Sequence, residues 1–179
     1  MSEGSEASQR HGADFRLLFV CTGNTCRSPM ARVIAERSVE QRGWDGVEIR
    51  SAGVSAYPGE SASEGASLAA EWRGLDLEGH RSTPLDSELV AWADLILTMG
   101  PHHVDVAEAF GGQGKTWMVS AFSEGGVHTR GDGVPDPFGG DPRVYRECLE
   151  ALEGLVEASL VRVEAEFFSP ASPKEEDAL

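Results

Sequence analysis

The feature that most constrains this chain is a short apolar run that passes without a break through a tight polar loop into a helix. Phe15-Arg-Leu-Leu-Phe-Val20 is nearly continuous in apolar residues, as strands buried on both faces of a parallel sheet are. Cys21-Thr-Gly-Asn-Thr-Cys-Arg-Ser28 follows at once, then Pro29 and a helical stretch to about Arg42. Ser28 and Pro29 read as an N-cap and first-turn pair, and Gly43 suits the position just past the helix end. Gly23 and Asn24 inside the loop tolerate unusual backbone angles.

The rest of the chain continues the alternation. Val47–Ser51 reads as a second strand, and Ser61-Ala-Ser-Glu64 has capping-box spacing for a helix that stops near Gly74. Ala93–Met99 is a third buried strand, Pro101–Phe110 a helix ended by Gly111 and Gly112, and Thr116–Val119 a fourth strand. Ser123–Gly140 is rich in Gly and Pro and is expected to be a loop, carrying Asp132 and Asp136. Tyr145, Cys148, Leu149, Leu152, Leu155, Val156 and Val163 recur at helical spacing and predict a long amphipathic closing helix. The expected fold is therefore α/β: a single-domain, three-layer sandwich with a four-stranded parallel sheet and helices on both faces. Residues 1–14 and 169–179 are polar and small and are expected to be disordered tails around a domain at 15–168.

Composition narrows the chemistry. With 30 Asp and Glu against 15 Lys and Arg, the formal net charge of −15 repels nucleic acid. No apolar run approaches the ~18 residues of a membrane span, and the N-terminus lacks a secretory pattern, so a soluble, cytoplasmic protein is expected. Three cysteines with no CxxC pair, Cys21, Cys26 and Cys148, argue against a disulfide framework and a structural zinc site. An anionic substrate would need a site that reverses the field locally.

The Cys21–Ser28 loop can supply that reversal. A loop this tight can turn the N–H groups of Thr22, Gly23, Asn24, Thr25, Cys26, Arg27 and Ser28 inward as a nest for phosphate or another oxyanion. The helix that follows adds its positive N-terminal dipole, and Arg27 adds a planar, bidentate fork. These groups should favour the Cys21 thiolate, so its pKa is expected to be low. A thiolate beneath a bound phosphoryl group can attack phosphorus in line, with no metal or cofactor. Cys-x5-Arg spacing alone is weak, for a strand-end thiol and a surface arginine would give it too; the flanking strand and helix are what lend it meaning.

Cys21-Thr-Gly-Asn-Thr-Cys-Arg-Ser-Pro-Met-Ala31 resembles the signature of the low-molecular-weight protein tyrosine phosphatase family. The likeness continues through Ser51-Ala-Gly53, His80-Arg-Ser82, Ala93–Met99 and Asp136-Pro-Phe138, and covers about Phe15 to Phe168. It implies Cys21 as nucleophile, Arg27 as phosphate clamp, Ser28 as hydrogen-bond partner of the thiolate and Asn24 as the residue that holds the loop. It also implies Asp136 as general acid and then base, a role that a carboxyl on a loop can perform. The other reading of Asp136 is a turn residue before Pro137. Thr25, where tyrosine-directed members carry a larger aliphatic residue, and Gly139-Gly140 resemble the protein-arginine phosphatase branch. The leading expectation is phosphoarginine in proteins, with Thr25 as a specificity residue and phosphotyrosine as the alternative. Arsenate reduction ranks lower, because residues 71–110 hold no resolving cysteine. A Cys21–Cys26 disulfide and a packed Cys26 thiol both stay open. His80 reads as a structural histidine, and His102-His103 as solvated.

Overall fold

The computed structural model describes residues 14–169; the tails expected at 1–14 and 169–179 lie outside this range apart from Asp14 and Ser169. Along the chain run β1 (Phe15–Cys21), α1 (Arg27–Gln41), β2 (Val47–Gly53), α2 (Glu64–Trp72), α3 (Ser87–Trp92) and β3 (Leu95–Thr98). They are followed by α4 (Pro101–Ala109), β4 (Thr116–Met118), α5 (Val119–Ser123), α6 (Pro142–Val163) and a π-helical turn (Glu164–Phe168). The strands form one parallel sheet in the order β2-β1-β3-β4. Alternation then sorts the apolar side chains. Leu17 and Phe19 on β1 share one core with Leu97, Met30, Ile34, Leu149 and Leu152, so α1 and α6 cover that face. Leu18 and Val20 share another with Ile96, Val90 and Ala107, so α3 and α4 cover the opposite face. The three-layer α/β sandwich expected from the sequence is the observed architecture.

Parallel strands order the site as well. All four carboxyl ends point the same way, and the loop after β1 emerges beside the end of β2, where Cys21 is in register with Gly53. Two helix starts differ from the sequence reading. Cys26, not Ser28, is the N-cap of α1, because the Ser28 hydroxyl is drawn inward to other partners. The cap of α2 is Ser63, whose hydroxyl accepts from the N–H of Ala66, whereas Ser61 lies outside the helix. The short helices α3 and α5 are absent from the sequence reading; six and five residues give too little periodicity to register.

The observed cap makes a direct prediction. Ser63→Ala should cost about 1 kcal/mol in urea unfolding, while Ser61→Ala should stay within about 0.5 kcal/mol. Equal losses at both positions would contradict the assigned cap.

Candidate active site

The loop from Cys21 to Ser28 closes around a buried asparagine. Asn24 has a positive φ of 55° and no solvent exposure. A left-handed backbone at a non-glycine residue is uncommon, and Asn bears it more easily than most. Its side chain is fully used: Nδ2 donates to the hydroxyls of Ser28 (2.8 Å) and Ser51 (3.0 Å), and Oδ1 accepts from the N–H of Thr83 (2.9 Å). His80 Nε2 lies 2.7 Å from the Asn24 carbonyl, so that nitrogen must carry the proton. His80 is thus a buried histidine whose work is to hold this loop. Gly53 completes the seat, because a Cβ there would lie 2.5 Å from the Thr22 carbonyl and 2.8 Å from the Asn24 nitrogen.

Cys21 ends β1 with its side chain buried, and its Sγ is 2.8 Å from Ser28 Oγ. A thiolate has no proton to give, so in the ionised form the Ser28 hydroxyl donates to sulfur while accepting from Asn24. The folded environment sets desolvation against the donors expected from the sequence to favour the Cys21 thiolate. Burial is the largest influence and pushes the Cys21 thiol up; the Ser28 hydroxyl, the backbone N–H groups of Ser28 and Asn24, and the Arg27 charge pull it down. The sequence displays those donors but not the desolvation that opposes them.

Arg27 opens α1 and is largely buried. Its guanidinium donates to the Val134 carbonyl (2.9 Å) and the Thr22 hydroxyl (3.4 Å), and lies 3.5 Å from the Asp136 carboxylate. Val134 is itself tied to Met99 through its N–H (2.8 Å), so the loop bearing Asp136 is anchored two residues before the acid. Asp136 is half-exposed and accepts from the N–H of Phe138 (3.1 Å), which combines the turn role and the site position at one residue. His103, expected to be solvated, is buried on α4 with Nε2 2.9 Å from the Thr22 hydroxyl. Burial and the nearby charges of Arg27 and His102 push its pKa down to about 4, so it is neutral near pH 7.

These groups meet in a cavity of about 300 Å³ lined by Cys21, Thr22, Gly23, Thr25, Cys26, Arg27 and Asp136. Asn24 and Ser28, expected among the phosphate-binding positions, stand behind the wall, and their N–H groups lie toward Cys21 sulfur. Ser55, Tyr57, Glu60 and Phe138 complete the lining. Sequence reasoning missed the first three, which lie between β2 and α2 where no motif marks them. Cys26 Sγ contacts Ser63 Oγ (3.1 Å) and the Tyr145 hydroxyl (3.7 Å), the surroundings of a packed thiol. Burial pushes the Cys148 thiol up to about 12, which keeps it protonated and a poor nucleophile. Among the described residues no group of three or more His, Cys, Asp or Glu is placed to hold a metal.

The Ser28 contact can be tested by thiol chemistry. Ser28→Ala removes a donor to the thiolate, so the pH profile of Cys21 alkylation by iodoacetate should shift upward and alkylation near pH 7 should slow. An unshifted profile would contradict the contact as a stabiliser of the thiolate.

Comparison with known proteins agrees with this geometry. The family described as low molecular weight phosphotyrosine protein phosphatase matches residues 16–168. A protein-arginine-phosphatase of Geobacillus stearothermophilus is 40% identical over 154 residues, covering 85% of this chain and 98% of its own. A low molecular weight protein-tyrosine-phosphatase, Ptp, of Acinetobacter johnsonii is 36% identical over 143 residues, covering 78% of this chain and 92% of its own. The solved structure of the YwlE arginine phosphatase from Geobacillus stearothermophilus superposes with a TM-score of 0.74 at 37% identity, covering 87% of this chain and 99% of that one. A matched family spanning nearly all the described residues, on a fold that places a buried cysteine and an arginine in one loop, leads to one conclusion: the chain belongs to the low-molecular-weight protein tyrosine phosphatase family.

Proposed function

We propose that this protein removes the phosphoryl group from phosphoarginine residues of proteins through a cysteinyl-phosphate intermediate on Cys21. The observation that carries this reading is the single cavity in which Cys21, Arg27, Asp136 and Thr25 meet. The phosphoryl group sits in the loop with its oxygens toward the backbone N–H groups and the Arg27 fork. The Cys21 thiolate attacks phosphorus; the S–P bond forms as the P–N bond to the guanidine breaks. Asp136, in its protonated form, gives its proton to the departing nitrogen. Its half-exposed carboxylate, 3.5 Å from Arg27 on the cavity lining, supports this role. In the second half the Asp136 carboxylate takes a proton from water, water oxygen attacks phosphorus, and the Cys21 thiolate leaves as inorganic phosphate is released.

The Ser28 hydroxyl, the N–H groups of Ser28 and Asn24 and the Arg27 charge all favour the Cys21 thiolate, and Arg27, which lines the cavity, is also placed to meet phosphoryl oxygens. Thr25 supports phosphoarginine: its hydroxyl is a polar contact on the cavity wall, which a guanidine N–H can use and an aryl ring cannot. The arginine-phosphatase relatives support it further. A second reading, phosphotyrosine in proteins, is favoured by Tyr57 and Phe138, which are 75% and 74% exposed and flank the mouth as aromatic surfaces. Cysteines free of disulfides fit a reducing compartment, and we place the reaction in the cytoplasm. No helix among the described residues is long and apolar enough to cross a membrane.

The test compares kcat/KM on phosphoarginine and phosphotyrosine peptides without added metal. The reading predicts a preference for phosphoarginine, with turnover lost in Cys21→Ser while phosphate binding is retained. A preference for phosphotyrosine would overturn the substrate assignment, and near-wild-type activity of Cys21→Ser would overturn the nucleophile.

A further inference from the structure

One carboxylate at the cavity has no place in the chemistry above. Glu60 lines the same cavity as Cys21 and Arg27, on the segment between β2 and α2. Around Glu60 that segment is clamped by Ser82. The Ser82 N–H donates to the Glu60 carbonyl and its Oγ accepts from the Glu60 N–H, both at 2.8 Å. The Ser82 carbonyl accepts from Gly59 at 2.8 Å, and its hydroxyl donates to the Tyr57 carbonyl. Glu60 therefore projects from a fixed backbone, not from a free loop tip. Its charge is also uncommitted: none of the ion pairs among the described residues includes it, whereas Asp136 is paired with Arg27.

A lone carboxylate at the mouth of an oxyanion site works against a phosphoryl dianion. It becomes useful if the substrate carries a positive charge immediately behind the phosphoryl group. A guanidinium meets that requirement, and it matches a carboxylate in shape as well, with two parallel N–H donors. Tyr57, on the same clamped segment, offers an aromatic face on which a guanidinium can also rest. The phenyl ring of phosphotyrosine can rest on the aromatic rim but brings no cation, so it has nothing to offset the repulsion from Glu60.

We propose that Glu60 is a specificity-determining residue, whose carboxylate receives the guanidinium of phosphoarginine and penalises phosphorylated side chains that lack a cation. This rests on the phosphoarginine reading. Both halves of the effect push the same way, which is how discrimination is built from attraction to one substrate and repulsion of another.

The experiment measures kcat/KM for wild type and Glu60→Gln on three peptides: phosphoarginine with neutral neighbours, phosphotyrosine with neutral neighbours, and phosphotyrosine beside an unmodified arginine. Glu60→Gln should lower the value for phosphoarginine and raise it for neutral phosphotyrosine. The ratio of the two should fall about three- to tenfold, a shift that shrinks in high salt. A wild-type preference for phosphoarginine that Glu60→Gln leaves intact overturns the role of Glu60 alone. A loss confined to phosphotyrosine beside arginine assigns Glu60 to a neighbouring cation and overturns the guanidinium contact. A wild-type preference for phosphotyrosine on neutral peptides overturns the substrate reading itself.

Discussion

The site depends on how Asn24 is held. Backbone N–H groups converge on an anion only if the chain turns sharply, and the turn here runs through a left-handed residue that is not glycine. That conformation costs on the order of 1 kcal/mol and persists because its surroundings over-determine it. Four partners do so: Ser28 at the start of α1, Ser51 near the end of β2, Thr83, and His80 beneath the Asn24 carbonyl. None of them need touch the substrate. A strand end, a helix start and a distant loop are joined at one buried side chain, and the cavity floor is their common product.

Electrostatics at the floor is a contest settled by geometry. Desolvation raises the Cys21 thiol, while Ser28, two backbone N–H groups and Arg27 lower it. Of these, Arg27 also lines the cavity, where an acidic protein needs a local positive charge to admit an anion. Arg27 ties the floor to the acid: one guanidinium reaches Thr22 in the loop, Val134 on the adjoining segment and Asp136 beside it. Neutral His103 backs Thr22 from α4 without adding a competing charge near Arg27. The rim, by contrast, carries Glu60 and two exposed aromatic rings. Under the proposed function the floor receives the phosphoryl group and the rim the side chain that carries it.

Legibility in the sequence followed contiguity. β1, the loop and α1 are adjacent in the chain, so their chemistry could be read from residues 15 to 42 together with the α/β pattern. Asp136 lies over a hundred residues from Cys21, and only family resemblance connected them, since Asp-Pro by itself marks a turn as readily as a site. The rim residues Ser55, Tyr57 and Glu60 left no signal, because hydrogen bonds to Thr22 and Ser82 place that segment and local pattern does not. The errors share a cause. Ser28 looked like a cap and His103 like a solvated residue, because burial is a tertiary property that neighbours in sequence do not report.

Passage of the phosphoryl group through Cys21, with Asp136 managing the protons, is best caught by acid-quenching Asp136→Ala during reaction with an activated aryl phosphate and mapping phosphoryl groups by peptide mass. That leaving group departs without a proton, so the intermediate can form, while its hydrolysis lacks a base. A phosphoryl group is expected on the peptide containing Cys21, and none on that peptide when Cys21 is also replaced by Ala. Continued turnover with no phosphoryl-enzyme, or with the phosphoryl group on another residue, would contradict passage through Cys21.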